Sequence, residues 1–236
     1  MKTLGVIGGL GPMATAYYME LITKKTQADC DQEHLDMIIH SCPSVPDRTG
    51  YLLGKTKENP LPELVKIGVA LREQGVDVIA LLCMTAHAFH QELEELVGVP
   101  LIHGIREVAQ RLKDSGIDRV GLLATDGALE AEVFQREFAA WGIETVLPEA
   151  REQEAVMSMI YEQLKAGQMP KLEEFSVVKD QLINEKHAEV VVLGCTELSL
   201  MRKYYGEQMT EQVVDALEIL AEASLLRCLK QIRREG

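Results

Sequence analysis

The chain has 236 residues, of which 47% are hydrophobic, and a formal net charge of −13. This length allows one large domain or two of about 100–120 residues each. The negative charge argues against binding to nucleic acid or to an anionic membrane surface. No apolar run approaches the ~20 residues of a membrane span, and the five scattered cysteines do not resemble a disulfide framework. These features predict a cytoplasmic globular protein.

The first half of the chain predicts alternating strands and helices. A short, nearly continuous apolar run such as residues 76–82 is typical of a strand buried on both faces of a parallel sheet. In chain order we predict a strand at 4–7, a glycine turn at 8–11, a helix at about 13–26, a strand at 35–40, an irregular stretch at 41–49, a helix at 61–74, a strand ending at 83, a helix at about 85–97 and a strand at 100–103.

The second half repeats this pattern. Gly121 follows Gly5 by 116 residues and Cys195 follows Cys83 by 112, each within a similar motif, which indicates an internal duplication. The predicted elements are a strand from 119, a helix at 128–141, a strand at 144–147, helical segments at about 150–166 and 171–186, a strand ending at 195 and a last helix at about 211–234.

This duplication predicts an α/β fold of two pseudo-symmetric domains. Each domain is expected to be a mostly parallel sheet flanked by helices, with the active site in the cleft between them. We assign residues 1–103 and 211–236 to the first domain and residues 104–210 to the second, with the last helix packed against the first domain.

Cys83 and Cys195 stand at the carboxyl ends of the two repeated strands. Ligands of parallel sheets bind at that edge. A single cysteine there is usually an inert buried thiol, but two in equivalent positions favour a function. Two thiols that face each other can remove a proton from one side of a carbon atom and return one to the other side. This is acid–base racemisation without a cofactor.

Other motifs are less specific. The glycine turn at 9–14 fits the dinucleotide pattern G-x-G-x-x-A, but the second strand lacks the acidic residue at its end that the ribose requires. We favour a packing role for this turn, or a carboxylate held near Gly9 at the helix N-terminus. His87 and His90 have no further ligand cluster nearby, so we predict no metal and interpret them as core or partner-orienting histidines.

Two basic residues remain ambiguous on these patterns alone. Arg48 lies in the turn-rich stretch after a strand, where a guanidinium can bind a carboxylate through two nitrogens. Lys165 lies near a helix end just before Gly167, where a lysine commonly pairs with the helix dipole. Either residue is also compatible with an ordinary solvated surface position.

Beyond these patterns, the chain resembles the aspartate/glutamate racemase family, and within it the aspartate-specific members most. The matching segments are residues 5–15, 32–34, 45–49, 51–54, 83–87, 121–125 and 194–197. The resemblance extends over nearly the whole chain and weakens past about residue 203. It implies two α/β domains, racemisation of a small-molecule amino acid without a cofactor, and a homodimer.

The resemblance also implies roles for individual residues. Cys83 and Cys195 match the two catalytic thiols. Arg48 matches the arginine that holds the side-chain carboxylate of the substrate, and Lys165 matches its assisting lysine. Thr85 and Thr196 match positions that contact the α-carboxylate and amino group of the substrate.

Met84 departs from the family pattern Cys-Asn-Thr. An amide both donates and accepts hydrogen bonds, whereas a thioether only accepts weakly, and losing such a buried contact costs about 1–3 kcal/mol. Racemisation of an acidic amino acid, aspartate before glutamate, is the leading prediction. The alternatives are a related carbon-acid isomerase of the same fold, a broad-specificity amino-acid racemase, and a catalytically weak amino-acid-binding protein.

Overall fold

The computed structural model describes residues 2–209 and 211–228 and contains two four-stranded parallel sheets. The first sheet consists of β1 (Leu4–Gly8), β2 (Met37–Ser41), β3 (Val78–Leu81) and β4 (Leu101–Ile102), in the order β2-β1-β3-β4. The second consists of β5 (Arg119–Leu123), β6 (Glu144–Val146), β7 (Val190–Leu193) and β8 (Val213–Asp215), in the order β6-β5-β7-β8. Because the two orders are equivalent, β3 and β7 occupy matching positions, and the predicted pair of pseudo-symmetric α/β units is confirmed.

Helices flank both sheets. They are α1 (Pro12–Lys25), α2 (Arg48–Leu52), α3 (Leu61–Glu73), α4 (His90–Val97), α5 (Gly104–Asp114), α6 (Asp126–Glu130), α7 (Val133–Ala140), α8 (Ala150–Ser158), α9 (Leu172–Asp180), α10 (Leu198–Tyr205) and α11 (Ala216–Cys228). None of those described is long and apolar enough to cross a membrane.

Two predicted helices differ from the structure, and one helix was missed. The helix predicted at 128–141 is interrupted at Glu132, whose φ of 53° lies in the left-handed region, so that α6 and α7 are separate helices. Helix α5 was not predicted. The stretch at 211–215, predicted as the start of the last helix, contains β8, because Val213 pairs in parallel with Val191 of β7.

One hydrophobic core joins the two halves. It combines side chains of the first sheet and of α1, α5 and α11 with side chains of β5 and α7. Helix α11 packs against α1, and also against α5, which the predicted division placed in the second domain. Residue 210 and residues 229–236 of the predicted C-terminal segments lie outside the described residues. The division at 103/104 and 210/211 stays a prediction, and the pairing of β8 favours a second boundary after Asp215.

Candidate active site

Cys83 and Cys195 lie two residues beyond the ends of β3 and β7. Both are buried, with 6% of each residue exposed. They line one small cavity, here called the inner chamber, together with other residues from both halves of the chain. Its free volume is about 10 Å³, roughly the space that one water molecule requires. The structure thus brings the two predicted thiols to the same enclosed space.

The loop after β3 is held in place by His87. The His87 Nδ1 atom lies 3.0 Å from the Cys83 carbonyl oxygen, and the Gly104 N–H donates to Nε2 at 3.1 Å. Because Nε2 accepts a hydrogen bond, the proton of the neutral ring lies on Nδ1. Burial, and then His103 and His90, lower the pKa of His87 to about 3. His87 therefore orients the main chain of Cys83.

The same histidines do not form a metal site. Among residues 2–209 and 211–228, no group of three histidine, cysteine or acidic side chains is arranged to hold a metal ion.

Thr85 and Thr125 connect the two halves at the inner chamber. Their hydroxyl oxygens are 2.8 Å apart and both side chains are buried. Thr125 also caps α6, because its Oγ1 accepts a hydrogen bond from the Ala128 N–H. The sequence did not predict this position for Thr125, although its segment is part of the resemblance. A contact between Thr85 and the substrate stays a prediction.

Glu197 is the functional candidate that sequence reasoning missed. Its carboxylate is 3% exposed and lines the inner chamber. The Cys195 thiol donates to Glu197 Oε2 at 3.0 Å, and the Thr196 hydroxyl donates to the same oxygen at 3.2 Å. The Lys165 ammonium lies 3.5 Å from Oε1. A sequence signal existed, since Glu197 is the one acidic residue between the apolar strand β7 and the apolar start of α10.

The carboxylate of Glu197 determines the charge around Cys195. Burial raises the pKa of the Cys195 thiol well above its ordinary value, the negative charge of Glu197 raises it further, and Lys165 opposes both effects. Cys195 is therefore held as a thiol, because a thiolate there would face a carboxylate at hydrogen-bond distance.

Arg48 is the first residue of α2 rather than part of an irregular loop, since Asp47 caps this helix by accepting from the Gly50 N–H at 2.6 Å. Its terminal nitrogens donate to three main-chain carbonyl oxygens, those of Val45 (3.2 Å), Pro46 (3.0 Å) and Leu10 (2.9 Å). The buried Nε has no hydrogen-bond partner among the described residues.

The guanidinium of Arg48 lies beside the other thiol. Burial lowers the pKa of Arg48, but the neighbouring Cys83 sulfur and Asp47 raise it by more. Cys83 thus has a cation beside it, whereas Cys195 is hydrogen-bonded to an anion.

Lys165 and Tyr161 enter the chamber from the segment that follows α8. The Lys165 ammonium lies 4.9 Å from the centre of the Tyr161 ring, and the Tyr161 hydroxyl donates to Asp47 Oδ1 at 3.0 Å. Burial lowers the pKa of Lys165, while Glu197 and then the two cysteines raise it by more, so the amine stays charged. Burial also raises the pKa of Tyr161. Tyr161 was not among the predicted site residues.

Met84 and Gly9 form parts of the walls. Met84 lines the inner chamber, but the residue is 1% exposed and belongs to the shared hydrophobic core. Gly9 has a φ of 86°, and a Cβ atom there would stand 2.3 Å from the Cys42 main-chain nitrogen. No other residue type fits this turn without rearrangement.

A larger cavity of about 470 Å³, here called the outer cavity, adjoins the inner chamber. Gly9 and the apolar residues around it form much of its wall. The residues common to both cavities are Leu10, Asp47, Arg48, Tyr161, Lys165 and Glu197. These six residues border the inner chamber, which contains the thiols, and the outer cavity.

Comparison with known proteins identifies the family and supports the fold. A sequence model of the family described as Asp/Glu/hydantoin racemase matches residues 7–224. The structure of the aspartate racemase of Picrophilus torridus superposes with a TM-score of 0.82 at 27% identity, covering 99% of this chain and 96% of that one. An aspartate racemase homologue of Pyrococcus horikoshii gives a TM-score of 0.77 at 26% identity, with coverages of 97% and 99%.

A relative found by sequence comparison is described as having a broader substrate range. The broad specificity amino-acid racemase of Bacillus subtilis is 23% identical over 227 residues, which are 94% of this chain and 96% of the relative. Such racemases are isomerases. The match to the family covers most of the chain, and the fold agrees with the solved members over nearly their whole length. The chain therefore belongs to the Asp/Glu/hydantoin racemase family.

Proposed function

We propose that this protein racemises amino acids without a cofactor, with Cys83 and Cys195 as the two proton-transfer groups. The observation that carries the proposal is that both thiols line one enclosed chamber and have charges of opposite sign beside them. Two titratable groups in opposite environments suit one as base and the other as acid.

In the proposed reaction the Cys83 thiolate removes the α-proton from one face of Cα. The electron pair is delocalised into the α-carboxylate, and the Cys195 thiol then donates its proton to the opposite face of Cα. The product has inverted configuration, Cys83 has gained one proton and Cys195 has lost one. The other enantiomer reacts by the reverse sequence.

We further propose an acidic amino acid as the substrate, with aspartate before glutamate. Support comes from the two cations that line both the inner chamber and the outer cavity. The N–H of Arg48 Nε and the ammonium of Lys165 can each still donate a hydrogen bond to a second carboxylate. The aspartate racemase of P. torridus has the same fold. Thr85, Thr196 and the turn at Gly9 are the proposed contacts for the α-carboxylate and amino group.

A broad-specificity racemase is the second candidate. It is favoured by Met84, which places a thioether where the family has an amide, and by an outer cavity far larger than an aspartate side chain requires. The B. subtilis relative carries that description. The homodimer and the cytoplasmic location also remain proposals, which rest on the resemblance and on the composition.

The test is a panel of L- and D-amino acids incubated with the protein in deuterated water. We expect α-deuteration together with inversion for aspartate, and neither Cys83→Ala nor Cys195→Ala should complete the cycle. Either variant is expected to exchange the α-hydrogen of one enantiomer at most, with retention of configuration. Cys30→Ala, which changes an exposed thiol, is the matched control.

Several results would contradict the proposal. Full racemisation by Cys83→Ala would exclude the two-thiol mechanism. Activity lost on dialysis against a chelator and restored by metal, or an absorbance band of bound pyridoxal phosphate, would exclude cofactor independence. Binding of aspartate without any exchange would favour a binding protein.

A further inference from the structure

The Glu197 side chain is hydrogen-bonded to Cys195 and also lines the outer cavity. Its Oε2 accepts the hydrogen bond of the Cys195 thiol, whereas its Oε1 has no hydrogen-bond partner among the described residues and is buried. The side chain lines both cavities. Oε1 faces the turn at Gly11, where a Cβ atom would stand 2.5 Å from it, and lies 3.5 Å from the Lys165 ammonium.

The two-thiol reaction leaves a proton imbalance. After one turnover Cys83 has an additional proton and Cys195 lacks one, so the free enzyme must return to its starting form before it can use the same enantiomer again. The inner chamber holds about one water, and Glu197 is the ionisable side chain that is hydrogen-bonded to Cys195. Thr196 Oγ1 directs its own proton to Glu197.

We propose that Glu197 keeps Cys195 in its thiol form and returns the proton that Cys195 loses in each turnover. In this step Cys83 gives its proton to the water that fills the emptied chamber. The Glu197 carboxylate takes up one proton from the outer cavity, and a half turn of the carboxyl group brings that proton to the Cys195 sulfur. One proton leaves the enzyme and one enters, so the charge of the protein is unchanged. The kinetic part of this inference rests on the proposed function, and the resting state of the thiol does not.

The surroundings of Cys195 support an effect of Glu197 on its titration. Lys165 is the cation that opposes the carboxylate. The other ionisable groups that line the chamber are Asp47, Arg48, Cys83 and Tyr161. Asp47 and Tyr161 are hydrogen-bonded to each other, and Arg48 lies beside Cys83. Glu197 is therefore the anion that contacts Cys195 directly.

The first experiment needs no substrate. The ultraviolet absorbance of the thiolate is titrated in Cys83→Ala and in Cys83→Ala with Cys195→Ala, and the difference between the two curves reports Cys195 alone. The same pair is then measured with Glu197→Gln, which keeps the size of the side chain. We expect the Cys195 thiolate to form at a lower pH in the Glu197→Gln background. An unchanged or higher midpoint would overturn the assignment of Glu197 to the thiol.

The second experiment measures the return of the enzyme to its starting form. With racemisation of a substrate established, we expect Glu197→Gln to lower kcat by about a hundredfold, the range of a lost proton-transfer group, and to change kcat/KM much less. Glu197→Asp, which keeps an ionisable carboxyl group, is expected to restore part of kcat. Equal losses in kcat and kcat/KM for both variants would overturn the return step. An enzyme inactive on every amino acid, with the thiolate midpoint lowered as expected, would refute the proposed racemase and leave the Glu197–Cys195 pairing supported.

Discussion

Replacing Arg48 with lysine keeps the positive charge but removes the planar guanidinium, and the structure predicts a loss of stability. The two terminal nitrogens of Arg48 donate to the carbonyls of Leu10, Val45 and Pro46. A lysine ammonium is a single point and lacks this fixed fork of donors. At least one buried carbonyl is then left without a donor.

The magnitude follows from these bonds. A hydrogen bond to a charged group contributes about 1.5–3 kcal/mol, and an unsatisfied buried acceptor costs about 1–3 kcal/mol. We therefore expect Arg48→Lys to lower the free energy of unfolding by about 2–4 kcal/mol. Arg136→Lys is the matched control, because the Arg136 side chain is 74% exposed and pairs with Glu132 at the turn before α7. Such a surface change is worth less than about 1 kcal/mol.

The assay is urea unfolding at neutral pH, with the midpoint and the slope compared between the variants and the wild type. A lower midpoint with an unchanged slope reports lost stability. If Arg48→Lys unfolds at the wild-type midpoint, the carbonyl contacts do not contribute, and Arg48 acts through its charge alone. A further variant, Arg48→Ala, is tested for turnover, and its loss of transition-state stabilisation is expected to be larger for aspartate than for alanine by about 1.5–3 kcal/mol.

Two further outcomes are expected. Met84→Asn should raise kcat/KM for aspartate relative to the packing control Met84→Leu, by an amount that corresponds to about 1–2 kcal/mol of transition-state stabilisation. A lower kcat/KM in Met84→Asn would show that the thioether suits aspartate. His87 has a lowered pKa in the folded protein, so below about pH 6.5 the unfolded chain binds the proton first and stability falls. As the pH falls from about 6.5 to 4, the free energy of unfolding of the wild type should decrease by ~1.4 kcal/mol per pH unit relative to that of His87→Gln. Urea unfolding at several pH values measures this difference. Parallel pH dependences of the two proteins would exclude a neutral buried His87.

Part of the site follows from local sequence patterns. The apolar runs before Cys83 and Cys195 predict buried parallel strands, and such strands have their ligand-binding edge at the carboxyl end. The repeat spacing predicts that the two cysteines occupy equivalent positions. Residues close together in the chain determine these features, and the structure has β3 and β7 at matching positions of two equivalent sheets.

One prediction failed because a long-range contact outweighed the local pattern, and another failed at a turn. The segment at 213–215 resembles the start of a helix when the chain is considered alone, but it pairs with β7 and satisfies the main-chain groups of that sheet edge. The turn at Glu132 splits a segment whose apolar spacing predicts one helix. Strand pairing and helix packing depend on neighbours that are distant in sequence.

Most of the electrostatics of the site was decided by the tertiary structure. Glu197 is two residues from Cys195 and its hydrogen bond to the thiol is local, but its pairing with Lys165 depends on how the start of α10 meets the segment after α8. Arg48 is recognisable from its motif, but its bond to the Leu10 carbonyl spans 38 residues. The sequence by itself determined which groups are available for chemistry and at which edges of the sheets they lie. The packing of the two halves decided which charge stands beside each thiol, because the interaction between two charges depends on their distance and on their burial.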